Sequence, residues 1–413
     1  MSDPVAGFAA AMARIAPAGA LGLAVSGGGD SMALLHLACN WARTQGRTLS
    51  VATVDHGLRE GSRLEAAMVA QVCAGLGLPH TILHWYGWQG RGNLQEAARE
   101  GRLGLLADWA HRQELAAVAL GHTRDDQAET LLLRLARGSG VEGLAAMRDA
   151  EPHHGALWLR PLLGESREAL RAYLRLQGVA WVDDPSNDNP AFERVKARQA
   201  LAALAGLGIE AEGLAQTAAR LRLARDSLHW AAERAVRDLA QMDRGCVVID
   251  RAGLDALPPD MARRIVAAAL CHVSSQTHRP RLSALIAALH AERATLHGCL
   301  LATRKGTLRI SREYQAVANL RVPLGQPWDQ RWQMTPPAGI DVNGLDIGAL
   351  GPKGLDLCKD ARATGLPRTT LLASPAIWQD ARLIAAPMAG FGADWQASVN
   401  FLRQDFFSKA LSH

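Results

Sequence analysis

Between residues 20 and about 145, short apolar runs alternate with longer segments in which apolar residues recur every three or four positions. The runs over 21–25, 49–54, 80–85 and 116–120 have the length of strands. The segments 32–43, 64–75, 93–112 and 125–137 have the period of helices buried on one side. In the first of these, Leu34, Leu35, Leu37 and Ala38 form the apolar side. The Ala-rich start of the chain reads as a short amphipathic helix before the first strand. Strand and helix in strict alternation predict a parallel sheet with helices on both faces. Ligands of such sheets bind beyond the carboxyl ends of the strands. Three segments follow strands directly: the loop Ser26-Gly27-Gly28-Gly29-Asp30-Ser31, Asp55-His56-Gly57, and Gly121-His122. They are expected to line one crevice.

The pattern then changes. Residues 150–200 read as irregular, with a run of turn formers from Asp183 to Pro190. A helix over 192–205 carries Arg194 and Arg198 one turn apart. A long amphipathic helix over 214–242 leads to a strand (246–249), helices over 260–273 and 281–292, and strands over 296–303 and 307–311. From about 326 the chain is rich in Gly and Pro, with short apolar runs at 339–342 and 382–386, and reads as β-rich. The expected division is a catalytic domain over 1–210, a mixed α+β linker domain over 211–320 and a small β-rich C-terminal domain over 321–413.

Composition narrows the function classes. No apolar stretch is long enough to span a bilayer, and the N-terminus lacks the basic-then-apolar order of a signal peptide, so a cytoplasmic protein is expected. The six cysteines are isolated, which removes the usual zinc, cluster and redox spacings and reads as buried thiols in a reducing compartment. Net charge is +5, and only five of the 45 basic residues are lysine. Arginine suits phosphate recognition because its planar fork binds two oxygens at once. A general bias toward Ala, Arg and Gly accounts for much of that excess, so charge alone adds little support for a nucleic-acid partner.

The loop from Ser26 to Ser31 carries the strongest chemical signal. Its glycines let the backbone turn sharply, and the N-terminus of the following helix adds a positive dipole end. Together they make an anion cradle suited to phosphates. No Gly-Lys pair exists in the chain, so this is not a Walker A loop. The G-x-G-x-x-G at Gly138–Gly143 follows a helix rather than a strand and is set aside as a dinucleotide turn. Loop chemistry by itself leaves an ordinary capped turn equally open.

The S-G-G-x-D-S pattern after a first strand resembles the PP-loop of the N-type ATP pyrophosphatases. Further motifs resemble those of the tRNA(Ile)-lysidine synthetases: Asp55-His56-Gly57-Leu58-Arg59, Asn93-Leu94-Gln95-Glu96-Ala97-Ala98-Arg99, Gly121-His122-Thr123-Arg124-Asp125-Asp126-Gln127-Ala128-Glu129-Thr130, and Arg137-Gly138-Ser139-Gly140. Arg160-Pro161-Leu162-Leu163, Asp184-Pro185-Ser186-Asn187, and Thr295-Leu296-His297-Gly298-Cys299 with Arg312-Glu313 extend the likeness. Two positions depart from it: Val195 replaces an Asn between the two arginines, and Leu103 stands where a Tyr is usual.

The resemblance implies a Rossmann-like, adenine nucleotide alpha-hydrolase-like sheet and a two-step reaction. The wobble cytidine of the CAU-anticodon tRNA(Ile) attacks ATP and releases pyrophosphate; free L-lysine then displaces AMP to give lysidine. ATP and Mg²⁺ are the implied cofactors. The nucleotide would be held by Ser26, Gly27, Gly28, Gly29, Asp30, Ser31 and His56, and the metal by Asp30. The implied catalytic set is Asp30, His122, Asp126, Glu129 and Arg194. His122 would meet the α-phosphate or the base; Asp126 and Glu129 would hold the lysine ammonium or take its proton; Asp125 would cap its helix. Arg59, Arg198, Arg99 and Arg102 are further candidates for contacts to nucleotide or RNA. The partners are tRNA(Ile) and L-lysine, a homodimer is left open, and no membrane is involved. Three other readings stand beside this one. A base thiolase would want paired cysteines, and a glutamine-dependent ligase would need an N-terminal Cys. A regulatory ATP-binding module would not need the His122, Asp126 and Glu129 face.

Overall fold

The structure is a computed structural model that describes residues 3–57, 61–87, 94–183, 193–276, 278–392 and 394–399. These divide into two compact units, Met1–Arg225 and Asp226–His413, with the boundary inside a long helix, Ala211–Leu239.

Alternation produces the layers of the first unit. Its strands are β1 (Leu21–Ala24), β2 (Leu49–Asp55), β3 (His80–His84), β4 (Ala117–Leu120), β5 (Ala150–His153) and β6 (Ala156–Leu159). They form one sheet in the order β3-β2-β1-β4-β6-β5, parallel except for the β5–β6 hairpin. Successive strand residues point to opposite faces. Accordingly, Leu21, Leu23, Val51, Ala117 and Ala119 belong to one core cluster, whereas Ala52, Val118 and Leu120 belong to another. The first core takes its helical residues from α1 (Pro4–Ile15), α2 (Gly29–Gln45), α3 (Gly61–Leu76) and Arg167–Leu176. The second takes them from α4 (Leu94–Arg112). Helices therefore cover both faces, as the alternation predicts. Leu34, Leu35, Leu37 and Ala38 are all fully buried, and each such leucine contributes about 1.5–3 kcal/mol of burial.

The unit also holds α5 (Arg124–Ala136), α6 (Val141–Leu144), α7 (Arg167–Leu176) and α8 (Glu193–Leu204). The stretch read as irregular thus holds the β5–β6 hairpin and α7. The hairpin strands are four residues each and α7 only ten, so neither leaves a long periodic trace, although α7 buries Leu170, Tyr173 and Leu174 on one face. The turn formers from Asp184 to Pro190 lie outside the described residues.

In the second unit, β7 (Ala240–Asp243), β8 (Cys246–Asp250), β9 (Arg293–Leu296), β10 (Cys299–Arg304) and β11 (Thr307–Arg312) form an antiparallel sheet in the order β7-β8-β11-β10-β9. Helices Pro259–Ser274 and Leu282–His290 share its core. The remainder holds β12 (Arg321–Pro323), β13 (Trp332–Thr335), β14 (Asp346–Ala349), β15 (Pro375–Gln379), β16 (Arg382–Ala385) and β17 (Gln396–Val399). They form a four-stranded and a two-stranded sheet around a core that buries Trp328, Trp332, Trp378 and Trp395.

Three expectations are corrected here. The long helix stops at Leu239 because the next residues pair with β8 as β7. The single strand expected over 296–303 is two strands, joined at His297 and Gly298, both with positive φ. Residues 339–342 form no strand, since Ile340 and Val342 are solvent-exposed. All six cysteines are free thiols, and five are buried. No helix among the described residues is long and apolar enough to cross a membrane.

Candidate active site

The site is built from three neighbouring strand-to-helix turns. Strands β1, β4 and β6 lie side by side and run parallel, so α2, α5 and α7 all begin near one edge of the sheet. At the first turn, Gly27 has φ +90°, a conformation that L side chains rarely adopt. Ser31 locks the loop: its Oγ accepts from Ser26 N at 3.1 Å and donates to Gly28 O at 2.9 Å. The Ser26 and Ser31 hydroxyls are themselves 3.3 Å apart. Gly28 is the N-cap of α2 and Gly29 its first residue, with Asp30 in the first turn. At the second turn, Gly121 permits close approach: a Cβ there would sit 3.1 Å from Asp30 O.

Thr123 caps α5 in a reciprocal box, in which Thr123 N donates to Asp126 Oδ2 at 2.8 Å and Asp126 N donates to Thr123 Oγ1. Asp125 is therefore not the cap. Its Oδ2 instead accepts the backbone N–H of Arg167 at 2.8 Å, which fixes the start of α7 against α5.

Three carboxylates and three guanidinium groups then alternate. Arg167 reaches Asp30 Oδ2 at 3.1 Å, Asp126 Oδ1 at 3.4 Å and Glu129 Oε1 at 3.4 Å. From α8, Arg194 meets Asp126 Oδ1 at 3.1 Å and Arg198 meets Glu129 Oε1 at 2.7 Å. Glu129 is fully buried and Asp126 nearly so. Buried carboxylates at this density require paired cations. Two carboxylate oxygens are nonetheless left over: Asp30 Oδ1 and Glu129 Oε2 are buried without a hydrogen-bond partner.

The local charges tune each group. Burial raises Asp30 to about 6, against the opposing charge of Arg167. Burial pushes Asp126 up as well, but the charges of Arg194 and Arg167, with the Thr123 backbone N–H, outweigh it and leave the carboxyl below its ordinary value. Burial lowers His122 to about 3, so its imidazole is neutral across the physiological range. The charges of Arg160, Arg194 and Arg102 act in the same direction on it. Arg102 is held down to about 10 by burial and by Arg99 and Arg194. The site thus has an acidic side, suited to a cation, and a basic side around a neutral imidazole, suited to an anion.

Of the residues named from sequence, Ser26, Gly27, Gly28, Gly29, Asp30 and Ser31 form the loop, and Asp30, Asp126, Glu129 and Arg194 meet through the charge network. His122 adjoins it electrostatically. His56 follows β2 and packs edge-on against Trp85, with ring centroids 6.1 Å apart. Its turn is held by Asp55 Oδ1, which accepts from Gly57 N at 2.9 Å. Arg59 lies outside the described residues. Arg194 and Arg198 both engage carboxylates. The two departures, Leu103 and Val195, are buried apolar side chains. Sequence reasoning missed Arg167. The available signal was Ser166-Arg167-Glu168, a side-chain-capped helix start like the one that Thr123 makes for α5.

Residues 6–205 match the PP-loop domain family, the class that this sheet and loop define. Over 397 residues the chain is 47% identical to the tRNA(Ile)-lysidine synthase of Ruegeria pomeroyi, covering 95% of this chain and 94% of that one. It is 40% identical over 327 residues to the tRNA(Ile)-lysidine synthase of a Bradyrhizobium strain (72% and 91% covered) and 40% over 298 residues to that of Hyphomonas neptunium (69% and 79%). The chain belongs to the tRNA(Ile)-lysidine synthase family.

Proposed function

We propose that this chain uses ATP to activate the wobble cytidine of tRNA(Ile) and joins free L-lysine to it, working in the cytoplasm. Family membership carries the reaction class, an ATP-dependent ligase that makes lysidine. The observation that carries the assignment of the site is the unsatisfied acidic face beside the glycine loop. In the first step the C2 carbonyl oxygen of cytidine attacks the α-phosphorus of ATP, and pyrophosphate leaves. In the second the ε-amine of lysine attacks C2, the C2–O bond breaks, and AMP leaves. Chemistry of this kind depends on positioning and charge neutralisation.

The loop Ser26–Ser31 would hold the pyrophosphate part of ATP, with His56 at the adenosine side. Arg194 and the neutral His122 would face the α-phosphate and the base. Asp126 has one oxygen in the helix cap and the other on two arginines. Glu129 Oε2 has neither, so we assign Glu129 to hold the lysine ammonium and then take its proton, which must leave before the amine can attack. Mg²⁺ fits the donor set: the orphaned Asp30 Oδ1 beside a phosphate cradle would hold it, and it would neutralise phosphate charge. The parts of the chain expected as domains over 211–320 and 321–413 would carry the rest of the tRNA, mainly through phosphate contacts.

The decisive experiment is mass spectrometry of the wobble nucleoside after incubation with ATP, lysine and tRNA(Ile). The expected product is cytidine with a lysine-sized addition. Unmodified cytidine, or pyrophosphate release that ignores omission of lysine or tRNA, sinks the proposal.

A further inference from the structure

A group of ligating side chains lies outside this network, where α4 meets the tip of the β5–β6 hairpin. Glu100 comes from α4; His153 ends β5, and His154 starts the turn. One ligand atom from each lies within 4.8 Å of the other two. His154 Nε2 stands 2.9 Å from Glu100 Oε2, and the two imidazole centroids are 4.1 Å apart.

Adjacent strand residues point to opposite faces, so consecutive histidines do not normally converge. Here His153 pairs with Ala156, which leaves His154 and Gly155 as a two-residue turn with φ of +50° and +77°. Turns with two positive φ angles strongly prefer Asn, Asp or Gly at the first central position. The left-handed backbone at His154 swings its ring back beside that of His153.

We infer that Glu100, His153 and His154 form a surface site for one divalent transition-metal ion of the zinc type, fastening the hairpin tip to α4. Two imidazoles and a carboxylate suit zinc, nickel or copper better than magnesium or calcium. Tetrahedral ligands about 2.0–2.1 Å from zinc sit about 3.3 Å from each other, within side-chain rotation of the spacing seen. Water would complete the shell, since all three residues are exposed.

The test is titration of the chelator-stripped full chain with Zn²⁺ by calorimetry and with Co²⁺ by visible absorption. One equivalent should bind, with the d–d bands of nitrogen and oxygen ligation and a rise in thermal midpoint. His153→Ala, His154→Asn and Glu100→Gln should each weaken binding by more than the roughly tenfold that losing an outer-shell partner costs. The Asn variant retains a residue that tolerates the left-handed turn, so loss there reports the missing ligand rather than a broken hairpin. No binding, binding unchanged in all three variants, or a thiolate charge-transfer band from the cysteines would overturn the site.

Discussion

The glycine loop and the carboxylate–arginine network lie at the same sheet edge but are built on opposite plans. The loop is local. The Ser31 hydrogen bonds that shape it join residues at most five apart, around Gly27 and Gly28, and one distant bond, from Val182 N to Gly27 O at 3.0 Å, is added to them. The network is non-local: Arg167 reaches across 137 positions to Asp30, and Arg198 across 69 to Glu129. Local geometry fixes where an anion can sit. Long-range charge holds the acidic side together, because each of its carboxylates is paired with an arginine from another element. The difference teaches that substitutions in the loop should act nearly independently, and those in the network should not.

The largest effect tests where the two plans meet. Asp30→Ala is expected to abolish lysidine formation while the far-ultraviolet spectrum stays native; residual turnover near wild type would break the link between loop and network. Next, Arg167→Ala should lower kcat/KM by about a hundredfold, the scale of removing one preorganised electrostatic group. Combining it with Glu129→Gln should cost far less than the sum of the single losses. Strict additivity in that cycle would mean that the network does not act as a unit. Gly27→Ala forces a side chain into a left-handed conformation and should destabilise the protein by about 1–3 kcal/mol, read from denaturant midpoints.

The pH prediction concerns Asp30. Its folded value, about 6, lies above the ordinary 3.8, so its contribution to stability is present below about 4 and is lost as pH rises through 6. Asp30→Asn should therefore gain in thermal midpoint relative to wild type between pH 4.5 and 7. Wild-type activity should fall as pH drops through about 6, when the carboxylate proposed to hold Mg²⁺ is protonated. His122 should add no inflection near 6.5. The smallest effect is that of Ser31→Ala, which removes the hydroxyl's bonds to Ser26 N, Ser26 Oγ and Gly28 O and should cost about 1 kcal/mol for each net hydrogen bond lost. It should also be additive with Arg167→Ala.

The same contrast explains what could be read from the chain beforehand. Strand–helix alternation and the Ser26–Ser31 loop are short-range patterns, and both were legible. The His122, Asp126 and Glu129 spacing was legible too, because one helix start carries it. Arg167 was not: nothing near it in sequence marks its partners, which only the adjacency of β1, β4 and β6 brings together. The cap was misread for a related reason. Asp125 and Asp126 are equally plausible as sequence, and the choice fell to Thr123, whose hydroxyl faces Asp126 N. The hairpins at 150–159 and 293–304 were blurred because their turns use His rather than the usual Asn-Gly or Asp-Gly signal.

Asp126 divides its labour atom by atom. One oxygen holds the start of α5, and the other carries charge to Arg194 and Arg167. A lengthened side chain, as in Asp126→Glu, cannot do both from the same backbone position, while Asp126→Asn can preserve the helix start and silence the charge. Helix anchoring and charge pairing thus fall to different oxygens of one side chain, and a single-atom exchange separates them.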